Sequence, residues 1–232
     1  MRDPKFPHPD KRLVLKALAA GLLGARPLAA SSQLLGRVPA PLPAGQSIYD
    51  LRGPVTVNNE PASMETLIHA RDVVATGPSA LVVFVVGRDA FLLRENSQVR
   101  LGGDNFLVDT LSLVTGALLS VFGKSQHRLI VPTATIGIRG TGLYAVAQPD
   151  LSYLCTCYGV VDVQATGSDQ AETIESTHHD APRYIAEAGD QRIRPAPFID
   201  HTDDELMLIE TLVGRRPPFS LFDPGYGGRP RY

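Results

Sequence analysis

Thr133-Ala134-Thr135-Ile136-Gly137-Ile138-Arg139-Gly140-Thr141-Gly142-Leu143-Tyr144-Ala145-Val146 alternates like a strand, breaks at Gly140-Thr141-Gly142 and resumes. Gly137, Gly140 and Gly142 fall close together, so the backbone here needs positive φ or the close approach of a neighbouring rung. Arg139 is a lone charge in an apolar run and must find a carboxylate or carbonyl oxygens.

On both sides of this stretch the chain is built of short apolar runs separated by turn signals. Leu81-Val82-Val83-Phe84-Val85-Val86 reads as a strand buried on both faces, ending in a tight turn at Gly87-Arg88-Asp89. Further runs lie at Ala90–Leu93, Val99–Leu101, Phe106–Val108, Ala117–Phe122, Arg128–Val131, Thr135–Ile138, Leu143–Ala147, Tyr153–Cys157 and Val160–Val163. Spacing near ten residues with glycine at the joints predicts an all-β domain. Periodicity alone leaves a roll or solenoid of short rungs and a sandwich both open.

The order of these pieces resembles the FecR family, the periplasmic sensor domains of iron-dicitrate-type surface signalling. Arg139-Gly140-Thr141 matches the family's RGT signature. Gly53 to Ala62 is similar to its opening hairpin, and Asp72 to Ala80, with Gly77, to its D-x-V-x-T-G-x-x-S step. Phe91 to Leu101, Leu113 to Val121 and Tyr158 to Val163 follow in the family's order. The resemblance covers residues 48–165. It implies a β-roll, solenoid-like or sandwich FecR domain that relays an outer-membrane input to an anti-sigma factor. No anti-sigma segment precedes Leu13, so the expectation is a free periplasmic partner-binding domain. Because the family shares Arg139-Gly140-Thr141 among proteins with unrelated inputs, Arg139 is expected in a structural ion pair, with Asp72, Asp109 or Asp162, rather than in an anion site.

Composition narrows the function classes. A formal net charge of −2 over 232 residues gives no basic surface for nucleic acid. Trp is absent and aromatics make up 6%, which argues against a base-stacking platform. Residues 1–30 read as an export signal. Lys11-Arg12 precede an apolar segment from Ala17 to Ala25, and small residues end the stretch at Ala29-Ala30. The pattern is similar to a twin-arginine signal with Lys in the first Arg position. An amphipathic cytosolic helix is the alternative, but Ala20 to Ala25 offers no polar face. The apolar run is short for a bilayer span, and no other transmembrane helix is expected. The expected location is the periplasm, with the signal cleaved or kept as an anchor.

The expected organisation is a signal at 1–30, a Pro-rich linker at 31–47, a FecR-like β domain at 48–165, a C-terminal extension at 166–222 and a flexible tail at 223–232. Within the extension Arg183-Tyr184-Ile185 suggests one added strand. A helix is predicted over 203–213. Thr202 and Glu205 form a capping box, Asp203 and Asp204 suit the positive end of the dipole, and Leu206, Ile209 and Val213 make the apolar stripe. Gly214 and Pro217-Pro218 stop it.

Cys155-Thr156-Cys157 carries the clearest chemical signal. Positions i and i+2 of a strand share a face, so the two sulfurs project side by side. A disulfide across one residue is strained, whereas two thiols on one face suit a transition metal such as zinc, copper or iron. His178, His179 and His201 are the nitrogens that could complete a set, although neighbouring histidines of a strand point to opposite faces. The alternatives are half-buried strand cysteines, or a strained or intermolecular disulfide. No nucleophile elbow, phosphate loop or dinucleotide fingerprint occurs, so no enzyme activity is expected. The leading expectation is a non-enzymatic envelope module acting through protein contact. The second is a small exported metalloprotein using Cys155, Cys157 and the histidines.

Overall fold

The structure, a computed structural model, describes residues 40–221; the side chain of Leu221 is outside that description, as are the segment read above as an export signal, most of the linker and the tail. The strands are β1 (Ile48–Arg52), β2 (Val55–Val57), β3 (Glu60–Pro61), β4 (Val73–Thr76), β5 (Leu81–Val86), β6 (Asp89–Leu93) and β7 (Gln98–Asp104). They continue with β8 (Leu107–Val121), β9 (Gln126–Val131), β10 (Ala134–Ala147), β11 (Leu151–Ala165), β12 (Ala171–Ser176), β13 (Arg183–Ala186) and β14 (Ile193–Pro195). One α-helix, α1 (Asp203–Leu212), and a 3₁₀ turn at Pro218–Leu221 complete the described chain. No helix among the described residues is long and apolar enough to cross a membrane.

All 14 strands among the described residues belong to one sheet. The pairings are antiparallel, with β8–β9 the parallel exception. Three long strands organise it by changing partners along their length. β8 pairs with β7 and β9 through its first part, then with β6 and β10 from Gly116 onward. β10 pairs with β9 up to Arg139 and with β8 from Gly142. β11 pairs with β13 at Leu151–Leu154 and with β12 at Gly159–Gln164. The sheet thus has two halves joined by continuous strands, which turn corners at glycine.

The corners explain why local sequence reading finds short rungs where the chain makes long strands. Thr135–Ile138 and Leu143–Ala147 are one strand, as are Tyr153–Cys157 and Val160–Val163. Phe106–Val108 and Ala117–Phe122 likewise fall largely within β8. The ladder does not end at Gly140-Thr141-Gly142; its register shifts there. At Gly116 the backbone adopts φ +85°, and a Cβ would lie 2.0 Å from Ser97 Oγ. At Gly142 the reason is close approach: a Cβ would lie 2.5 Å from the Tyr158 ring.

The two halves enclose one core. Across the first half, Leu93, Leu118, Ala145 and Leu154 stand in register. Across the second, Leu111, Leu129, Ile136 and Val163 do the same. Both rows belong to a single apolar cluster. The outer face of the second half carries Ser112, Thr135, Arg139 and Gln164 and is open to solvent or half-buried. The outer face of the first half carries Leu92, Leu119, Tyr144 and Cys155 in register and is buried.

α1 packs against β6 and β8. It starts with the expected capping box: Glu205 N donates to Thr202 Oγ1 and Thr202 N donates to the Glu205 carboxylate. It ends one residue earlier than the sequence suggests, so Leu212 rather than Val213 joins Leu206 and Ile209 in the buried stripe. At its far end Glu210 is buried, accepting hydrogen bonds from Tyr158 Oη and from Arg215 Nε. Residues after 165 also add β12, β13 and β14 to the sheet, beyond the single strand anticipated at Arg183-Tyr184-Ile185.

Candidate metal centre

Alternation along β11 sends Leu154 into the core and Cys155 and Cys157 to the opposite, outer face. Both thiols are free and fully buried. The histidines arrive from two later segments. After β12 a turn is held by the Asp180 carboxylate, which accepts from Thr177 N, Thr177 Oγ1 and His178 N. These bonds hold Asp180 below the usual carboxylate range. His179 N donates to the Cys157 carbonyl, and His179 adopts φ +56°. Its ring is turned toward the sulfurs while staying 4.9 Å, centroid to centroid, from that of His178. His201 comes from the segment leading into α1, follows Asp200 at φ +57°, and stacks on Tyr144 at 4.6 Å between centroids.

Four donor atoms meet there. Cys155 Sγ lies 3.4 Å from His179 Nδ1, and Cys157 Sγ lies 3.3 Å from His201 Nε2. His201 Nε2 lies 3.1 Å from His179 Nδ1, and all four donors fall within 4.8 Å of one another. Tetrahedral zinc, with bonds of about 2.3 Å to sulfur and 2.0–2.1 Å to nitrogen, would separate nitrogens by about 3.3 Å and nitrogen from sulfur by about 3.6 Å. These three separations are therefore within about 0.3 Å of what a tetrahedral ion requires.

The outer contacts of both rings fit ligation. His201 Nδ1 is 2.7 Å from the Ile199 carbonyl oxygen. A carbonyl only accepts, so Nδ1 carries the proton and Nε2 offers its lone pair to the centre. His179 Nε2 is 3.0 Å from Asp203 Oδ1, which likewise places a proton on the outer nitrogen and turns Nδ1 toward the sulfurs. The charges respond to this crowding. Hydrogen bonding with Cys157, His179 and His201 brings the Cys155 thiol down to about 4 against the effect of burial. Burial pushes Cys157 up. Burial opposes a proton on His179, but Asp203 and the Cys155 sulfur raise it to about 9.

His178 is not among the four. Its Nε2 points to Asp203, 2.9 and 3.1 Å from the two carboxylate oxygens, and its side chain is 38% exposed. Asp203, whose position in the sequence suggests only a dipole role, accepts from both histidines. Tyr144, beneath His201, and Arg94, which donates to the Asp200 carbonyl and to Glu205, also shape the centre. Arg94 is more than 100 residues from its partners, so no local pattern could flag it.

Cys155, His179 and Asp203 also have the connectivity of nucleophile, base and orienting acid. Cys157 and His201 lie close to the Cys155 sulfur as well, and Cys155 has no exposed surface. A closed set of two sulfurs and two imidazoles suits zinc first, with copper or iron chemically conceivable.

The motif residues of the sequence lie elsewhere. Arg139 is exposed and donates to Asp162 at 2.5 Å, so Asp162 is the partner among the three carboxylates considered. Gly140 turns the corner at φ +58°. Thr141 is buried and its hydroxyl bridges to the Arg139 and Val160 carbonyls. Gly77 donates to Pro54 O and accepts from Ala80 N and Asn96 N between β4 and β5. None of these four residues is a member of the sulfur–imidazole cluster.

No family model matches the chain, and no curated protein does. Two crystal structures of a candidate anti-sigma factor from Parabacteroides distasonis are similar at 10% identity and a TM-score of 0.42. Each alignment covers 50% of this chain and 55% of that one, so the chain spans about half the length of the protein it resembles.

Proposed function

We propose that this chain is a non-enzymatic, FecR-type module of the cell envelope that binds a transition-metal ion and acts through contact with a protein partner. The observation that carries the metal is the convergence of Cys155, Cys157, His179 and His201 at near-tetrahedral spacing. The order of family-like motifs along residues 48–165 supports the FecR-type assignment. The export pattern in residues 1–30 supports a periplasmic location. The open outer face of the second half-sheet and its strand edges supply surface for a partner. Full burial of both sulfurs favours an ion that stays in place over one delivered to another protein.

Elemental analysis of protein purified after native export tests the metal. About one equivalent per chain is expected, with zinc foremost. The Cys155→Ser/Cys157→Ser double variant loses it; stoichiometric metal in that variant would end the proposal. Affinity capture from envelope extracts tests the partner, with chelator present or absent to separate partner binding from metal dependence.

A further inference from the structure

The centre joins three segments that are remote in sequence: β11, the turn after β12, and the lead into α1. Asp203, the first residue of the helix, is buried and touches the outer nitrogen of His179. A ten-residue helix does not persist alone in water. This one buries Leu206, Ile209 and Leu212 and is fixed at its far end through Glu210. Near its start, Glu205 pairs with Arg94, and Asp203 reaches both His178 and His179. His179 therefore joins the helix to the centre: Asp203 meets its Nε2, and its Nδ1 faces Cys155 and His201.

We infer, resting on the metal reading above, that Asp203 is a positioning residue linking the ion to the helix: docking of α1 orients His179 for zinc, and zinc in turn fixes the docked helix. His179 Nδ1 faces the sulfurs only while its ring is held in this orientation, and Asp203 Oδ1 is what holds the opposite edge. Carboxylates in this position typically change metal affinity by roughly 10–100-fold when removed. Binding linkage is reciprocal, so whatever the helix contributes to zinc affinity, zinc returns to helix docking.

The test uses the full chain. Zinc affinity is measured by competition with a chromophoric chelator, and amide hydrogen exchange of residues 203–212 is followed with and without zinc. In the wild type, zinc slows exchange in this segment. Asp203→Asn lowers zinc affinity roughly 10–100-fold, and zinc slows its helix exchange less. Asp203→Glu recovers part of the affinity. At saturation with cobalt(II), Asp203→Asn gives the wild-type tetrahedral thiolate spectrum, which shows an intact ligand set in a folded chain. A zinc-bound wild type whose helix exchanges at the same rate with and without the ion overturns the linkage and leaves the centre standing. So does an Asp203→Asn variant that binds zinc as tightly as the wild type. A wild type that takes up neither zinc nor cobalt overturns the centre itself.

Discussion

At the scale of the residue, two neighbouring histidines have different places. His179, at φ +56°, turns its ring to the sulfurs, while His178 faces Asp203 and solvent. His178→Ala is therefore expected to keep the full metal content, and His179→Ala to lose it. Elemental analysis of the two variants after identical dialysis checks this, and equal retention in both would contradict the assignment of ligands. The cysteine pair was legible from sequence because strand alternation is a fixed two-residue rule. The choice between His178 and His179 was not, because it depends on the backbone twist of one turn residue. Asp203 was legible as a helix-start acid but not as a partner of histidines 24 and 25 residues away.

At the scale of the element, glycine decides whether a strand bends or stops. Gly116→Ala would force an L residue to φ +85° and drive its Cβ into Ser97, so a loss above about 2 kcal/mol is expected. Gly137 has no positive φ, and its nearest would-be contact is Asp162 Cβ at 3.8 Å. Gly137→Ala is expected to stay within about 1 kcal/mol of wild type. Urea midpoints measured side by side distinguish the two. The all-β class, the Leu81–Val86 strand and the capped helix could be read locally, since each rests on neighbours in sequence. The continuity of β8, β10 and β11 through their corners could not. A glycine that ends a rung and one that carries a bulge look alike until the partner strands are known.

At the scale of the molecule, the first half-sheet is packed on both faces, by the common core within and by α1 and the centre without. The second half is packed on one face and leaves the other for solvent or a partner. A ligand that binds only the folded chain stabilises it by about 4 kcal/mol at a thousandfold excess over its dissociation constant. For a chain of this size that corresponds to a rise in melting midpoint of roughly 8–16 °C on zinc addition, reversed by chelator. Scanning calorimetry of the wild type and of the Cys155→Ser/Cys157→Ser variant measures it; an equal response from both would place the bound ion somewhere other than the cysteines. The envelope location proposed above rests on the sequence pattern of residues 1–30, which lie outside the described residues.

β11 places Leu154 in the apolar interior and Cys155 on the opposite side by nothing more than odd–even order. One inserted or deleted codon within Leu151–Cys157 would invert that parity. It would send sulfur into the oily interior and leucine toward the imidazoles, spoiling both compartments in a single genetic event. This segment should therefore accept exchange of side chains more readily than any change in its length.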